Sequence, residues 1–198
     1  MNVNKQIDVY REQLKNYFLY LNPKCVPAEL NELVNEFQLM AYPKHHILLK
    51  AGENSDMVYF ICKGLVRIYY IKENKEITNW FIKENMMSTP IYSILTGKNN
   101  FNNYVTIEDT IALKINYSLV NSYFLKYHSL ERFGRKNIER YYTTFMKKTY
   151  DLLYLSAEER YHLFIKENND LLNRVPLKYI ASFLGITQET LSRMRAKQ

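Results

Sequence analysis

Cysteine is scarce in this chain. Of 198 residues only Cys25 and Cys62 carry a thiol, far apart in sequence. There is no C-x-x-C pair and no cysteine cluster, so the sequence patterns of a structural zinc site and of an iron–sulfur cluster are both missing. The four histidines (His45, His46, His128, His162) lack metal-site spacing. No H-E-x-x-H, G-x-S-x-G or phosphate-loop glycine pattern occurs, and no pair of acids is isolated in an apolar setting, which argues against an enzyme. No apolar run is long enough to span a bilayer. The first residues have acids and polar residues throughout and lack the apolar centre of a signal peptide, so the expectation is a cytoplasmic protein with no membrane partner.

What is present is positive charge. The 27 Lys and Arg outnumber 20 Asp and Glu, giving a formal net charge of +7 and a pI near 9.2. That excess suits an anionic partner. The composition, 47% hydrophobic and 24% charged, is that of a globular chain with room for one large domain or two small ones.

The texture changes along the chain. Ile7, Tyr10, Leu14, Tyr17, Phe18 and Leu21 form a helical stripe that Pro23 stops, and a short helix over 28–36 follows. Runs rich in β-branched and aromatic residues then occupy 46–49, 57–62, 65–71, 76–81, 104–106 and 111–115, separated by turn signals such as Lys63-Gly64 and Glu108-Asp109. Short strands at this spacing predict a β-sandwich or barrel. A short helix over 90–95 is closed by Thr96-Gly97.

Helical patterning returns at 117–127. A stretch without proline then runs from Ser129 to Leu155, carrying Ile138, Tyr141, Phe145, Leu152 and Leu155 at near 3-4 spacing, with Lys148 breaking the stripe. At 1.5 Å per residue its ~26 residues reach roughly 39 Å. Such a helix either packs along the sandwich or pairs with a second copy. The reading taken is pairing, as a parallel two-helix coil through Ile138, Tyr141, Phe145 and Leu152. Ser156-Ala157-Glu158-Glu159 has the form of a capping box opening a further helix, which Asn168-Asn169-Asp170 ends at a hinge.

The last residues carry the strongest signal. Ile180 and Leu184 share one helix face, and Leu191 and Met194 share another. Gly185 lies between them, where the chain turns and uses positive φ at no steric cost. Thr187 follows as an N-cap. Ala181, small, lets the second helix cross the first closely. This is the sequence form of a helix-turn-helix, a unit whose second helix enters the DNA major groove, set against a helical hairpin that only packs. From 169 to 198 five basic residues (Arg174, Lys178, Arg193, Arg195, Lys197) face only Asp170 and Glu189, a net charge of +3.

The order of parts resembles the Crp/Fnr bacterial transcription regulators. Lys50-Ala51-Gly52-Glu53 followed by Val58 to Arg67 is similar to that family's early β-roll, Leu95-Thr96-Gly97 and Glu108-Asp109-Thr110 to its later turns, and 180–195 to its DNA-binding segment. The resemblance implies an α+β chain. A double-stranded, jelly-roll-like β-roll sensor domain would occupy 1–128, a dimerisation helix 129–155, and a helix-turn-helix domain 156–198. Double-stranded DNA and a second copy of the chain would be partners, with RNA polymerase a further one. Gln188, Glu189 and Arg193 would read bases. Lys178, Thr187, Thr190, Ser192, Arg195 and Lys197 would touch phosphates.

There are also departures. The cyclic-nucleotide-binding members of that family carry a Gly-Glu pair and, about a dozen residues later, an arginine. This chain has Glu84-Asn85-Met86-Met87-Ser88-Thr89-Pro90 and Asn99 to Tyr104 there, so no cyclic nucleotide is expected. Lys98 is read as a solvated turn residue. His45, His46 and Cys62 are ligand types for haem, or simply residues of strand starts and interiors. Trp80, Phe81, Met86 and Met87 are either an effector pocket or core. The chain stops soon after the recognition helix, so the family's wing is expected to be reduced or absent, with at most one strand from 170–175. The other function class left open is a ligand- or protein-binding module whose terminal helices form an interface rather than bind DNA.

Overall fold

The computed structural model describes residues 3–196. Two compact units divide the chain. The first comprises 1–68 and 81–140, the second 69–80 and 141–198.

The first unit opens with α1 (Val3–Leu21), whose Leu14, Tyr17 and Phe18 are buried as the stripe required. Pro27 starts α2 (Pro27–Asn35), which buries Leu30, Leu33 and Val34. The strands are β1 (Gln38–Tyr42), β2 (Ile47–Leu49), β3 (Met57–Lys63), β4 (Val66–Lys72), β5 (Lys75–Ile82) and β6 (Met86–Ser88), with residues 69–80 of β4, β5 and their turn assigned to the second unit. After the one-turn-and-a-half α3 (Ile91–Thr96) come β7 (Asn103–Thr106) and β8 (Thr110–Asn116). Two four-stranded sheets result, in the orders β1-β8-β3-β6 and β2-β7-β4-β5. Every register given is antiparallel, for example Gln38 opposite Lys114 and Phe60 opposite both Leu113 and Met87. Fold class and architecture match the α+β roll expected from sequence.

The turn between β3 and β4 depends on Gly64. Its φ is +101°, and a Cβ there would lie 2.5–2.8 Å from Thr110 and the Asp109 carbonyl. No side chain fits. α4 (Tyr117–Lys126) and the start of α5 (His128–Tyr154) complete this unit. Phe133 of α5 stacks on Phe18 with ring centroids 3.6 Å apart, and both lie in a cluster with Phe60, Met87, Leu113 and Ile115. This core ties the N-terminal helices and the start of the long helix to one sheet.

Two strands escaped the sequence reading. β1 (Gln-Leu-Met-Ala-Tyr) has no β-branched residue, and its strand conformation comes from pairing along β8. β6 is three residues long, entered through Asn85 at φ +60°, and is held by Phe60 and its neighbours on β3. Tertiary pairing supplied what local propensity did not.

In the second unit α5 continues to Tyr154. The capping box then forms as written in the sequence: Ser156 Oγ accepts from the Glu159 N–H while the Glu159 carboxylate accepts from the Ser156 N–H at 2.8 Å. It opens α6 (Ala157–Asn168), after which a 3-10 turn over Asn169–Leu171 leads to α7 (Leu177–Leu184) and α8 (Gln188–Arg195). The segment 170–175 holds no strand, and among the described residues none follows α8.

Candidate nucleic-acid interface

α7 is an apolar helix that buries Ile180, Ala181 and Leu184. Gly185 ends it at φ +69°, and the Ile186 N–H reaches back to the Ala181 carbonyl at 3.0 Å, satisfying an end group. Two residues later Thr187 caps α8, its hydroxyl accepting from the Thr190 N–H at 3.2 Å. Leu191 is fully buried and fixes α8 against the first helix. The frame therefore sets which side of α8 faces out.

That side is the one sequence reasoning chose. Gln188, Glu189, Ser192, Arg193 and Arg195 are all exposed. Glu189 and Arg193 are four residues apart on one face of α8. The Glu189 carboxyl is held below its ordinary range by its own backbone N–H, by the Thr187 hydroxyl and by the Arg193 charge, so at neutral pH it is an acceptor only. Arg193 offers five donors to solvent. This pairs an obligate acceptor with a forked donor on one exposed helix face.

The expected phosphate contacts divide. Lys178, Ser192 and Arg195 are exposed. The hydroxyls of Thr187 and Thr190 are engaged with each other at 3.1 Å and with the helix cap, so their first role is to start α8. Lys197 lies outside the described residues.

Arg160 of α6 was not singled out from sequence. Its Nε donates to the Leu184 carbonyl at 2.9 Å and its Nη1 to the Leu155 carbonyl at 2.6 Å. One guanidinium thus satisfies the C-terminal ends of α7 and α5 together. Nothing in its sequence position separates it from a surface arginine. Lys147, which joins Asp151 on α5 and Glu167 on α6 at 3.1 Å each, was equally unmarked.

On α5, Ile138, Phe145 and Leu152, spaced by seven, are exposed, while Tyr141 is half-buried. The exposed apolar surface is wider than the set named from sequence, since Tyr142, Met146, Tyr150 and Leu153 (72% accessible) belong to it. Leu152 also lies beside Gly185, close enough that a Cβ there would be 3.5 Å from its Cδ2.

The four residues named for an effector pocket are placed in different surroundings. Met87 belongs to the apolar core and Phe81 is buried. Met86 is half-buried. Trp80 belongs to the second unit, where its ring meets Phe183 edge-on at 6.2 Å. Near β6 and α3, the Ser88 and Ser93 hydroxyls are buried without a hydrogen-bond partner among the described residues, and Arg67 of β4 is fully buried. Lys98 is exposed, in keeping with a turn residue. Burial pushes the Cys62 thiol and the Tyr104 hydroxyl up to about 12 each, so both stay protonated at neutral pH. Among the described residues no group of three His, Cys, Asp or Glu side chains is placed to hold a metal ion, and no helix is long and apolar enough to cross a membrane.

Comparison with known proteins bears on the whole arrangement. Residues 39–127 match the cyclic nucleotide-binding domain family. FixK2 from Bradyrhizobium japonicum superposes with a TM-score of 0.70 at 18% identity, over 81% of this chain and 83% of that one. A CooA mutant from Carboxydothermus hydrogenoformans gives 0.66 at 19% identity, over 84% of this chain and 78% of its own. A regulator from Eubacterium rectale named for the crp/fnr family gives 0.69 at 16% identity, over 92% and 87%. No curated protein matches in sequence. Residues 39–127 are thus similar to the cyclic nucleotide-binding domain family, and the chain shares the fold of these solved regulator structures.

Proposed function

We propose that this protein is a sequence-specific, DNA-binding transcription regulator of the Crp/Fnr type, acting as a dimer on an inverted repeat. The observation that carries the reading is the outer face of α8. Gln188, Glu189, Ser192, Arg193 and Arg195 stand exposed on a helix whose register is locked by a capped start and a buried Leu191. Arg193 binds guanine O6 and N7 bidentately, Glu189 accepts from cytosine N4, and Gln188 serves adenine. Lys178, Ser192, Arg195 and Lys197 hold phosphates and fix register without reading sequence. The cationic excess of the chain supports the non-specific part of the affinity.

Dimerisation runs through α5. Its exposed Ile138, Tyr142, Phe145, Met146 and Leu153 form a stripe that a second copy covers. Two recognition helices presented about 34 Å apart meet successive turns of one face of the duplex. RNA polymerase is the partner through which such a regulator acts.

Cyclic AMP does not control this protein. A bound phosphodiester requires a cation or a set of aimed N–H donors. The segment that would supply them carries hydroxyls and amides, with Ser88, Ser93 and Asn100 buried there and its one lysine, Lys98, exposed. Titration calorimetry with cyclic AMP is expected to show no heat at micromolar concentration.

The decisive experiment is selection of duplexes from a random pool by the wild-type chain, followed by Arg193→Ala. The variant is expected to lose base preference at one position per half-site, a discrimination of about 1–3 kcal/mol. It retains salt-sensitive non-specific binding. An unaltered preference would remove Arg193 from the reading set.

A further inference from the structure

The sequence left Lys148 as an interruption in the α5 stripe. The structure gives it a place. Its amine leaves the α5 surface, donates to the Asn79 carbonyl, and lies 5.3 Å from the centre of the Trp80 ring and 4.1 Å from that of Phe183. Asn79 and Trp80 belong to β5, Phe183 to α7. A second connection joins the same elements. Ser182 Oγ of α7 accepts from the Thr78 N–H at 2.8 Å and donates to the Glu76 carbonyl at 3.2 Å.

The physical meaning lies in the sheet order. β5 is an edge strand, so among the described residues one row of its N–H and C=O groups has no neighbouring strand. The carbonyl of one residue and the N–H two residues on point the same way along that edge. A single serine hydroxyl fills the place of a strand against both. Thr78 is itself 3% accessible, so bulk water does not readily replace the serine hydroxyl at its N–H.

We infer that the β4–β5 hairpin is a latch on the helix-turn-helix, with Ser182 and Lys148 as positioning residues that hold α7, and through it α8, in the arrangement that reads DNA. The inference rests on the DNA-binding reading above. The latched state leaves the outer face of α8 open, so the latch favours binding by removing alternative orientations beforehand.

The test uses the full chain with Ser182→Ala, and Ser182→Thr as the variant that keeps the hydroxyl. Trp80 is the only tryptophan in the sequence, so intrinsic fluorescence reports the latch directly. In Ser182→Ala its emission is expected to shift to the red, and exchange of the Thr78 amide to quicken roughly tenfold. Affinity for a duplex selected by the wild type is expected to fall about three- to tenfold. Ser182→Thr restores all three. Unchanged emission and exchange would show that Ser182 does not hold the hairpin. Changed emission with unchanged affinity would show that the hairpin does not govern DNA binding. Either result overturns the inference. A wild-type chain that selects no duplex overturns the DNA-binding reading first, and is told apart from both by the absence of any bound pool.

Discussion

Replacing Arg160 by alanine tests how the helix-turn-helix is held. The guanidinium donates to two carbonyls at the ends of separate helices, Leu184 at 2.9 Å and Leu155 at 2.6 Å. Hydrogen bonds from a charged donor contribute about 1.5–3 kcal/mol each when their loss leaves a group unpaired. Arg160 is half-buried, so water recovers part of that for both carbonyls once the side chain is gone. A loss of about 2 kcal/mol in total is expected, which for a chain of this length lowers Tm by roughly 6 °C. Thermal melting followed by circular dichroism reads it. Arg160→Lys keeps the charge but reaches one carbonyl at a time, so it falls midway. Amide exchange should quicken around Leu184 and Gly185 while the core around Phe60 stays protected. An Arg160→Ala protein that melts within 1 °C of wild type would refute the argument that these two bonds join α5, α6 and α7.

Three other outcomes follow from named contacts. Gly185→Val is expected to destabilise the second unit by about 2 kcal/mol in chemical denaturation, because φ +69° strains a β-branched residue even though Leu152 is the sole neighbour its Cβ would meet. Phe145→Glu, at an exposed position on α5, should leave the melting of the monomer nearly unchanged and shift sedimentation from dimer to monomer. Lys148 gives a pH signature: burial brings its amine down to about 8 from an ordinary 10.5, so between those values the unfolded chain binds the extra proton and stability rises with pH. The full swing is about 3 kcal/mol. Tyr42, Cys62 and Tyr104, raised to about 12, act in the opposite sense above pH 9. The difference between wild type and Lys148→Met isolates the lysine, and a difference that stays flat from pH 7 to 10 would contradict its burial.

Much of this molecule was legible because its signals are local. The α1 stripe, the Ser156 capping box, the Thr187 cap and the glycine turn at Gly185 each act within one helical turn, and each formed where its residues stood. The exposed face of α8 follows from the same kind of rule, since burying Leu191 leaves Glu189 and Arg193 outside. What escaped was set by distant partners. β1 is a strand because β8 pairs with it, and β6 because β3 does. Trp80 and Phe81 are adjacent in sequence and carry the same two readings there, pocket or core, yet alternation along β5 and the division of the chain give them different neighbours. Lys148 is the most telling case. Periodicity marks a lysine in an apolar stripe as an exception and stops there. Its amine is placed by two aromatic rings and a carbonyl from segments 35 or more residues away, and no window on the sequence contains them. The exceptions to a helical pattern are therefore where the functional geometry of such a chain is to be sought. A residue that breaks its own helix's rule is obeying a constraint from another element, and here those elements are β5 and α7.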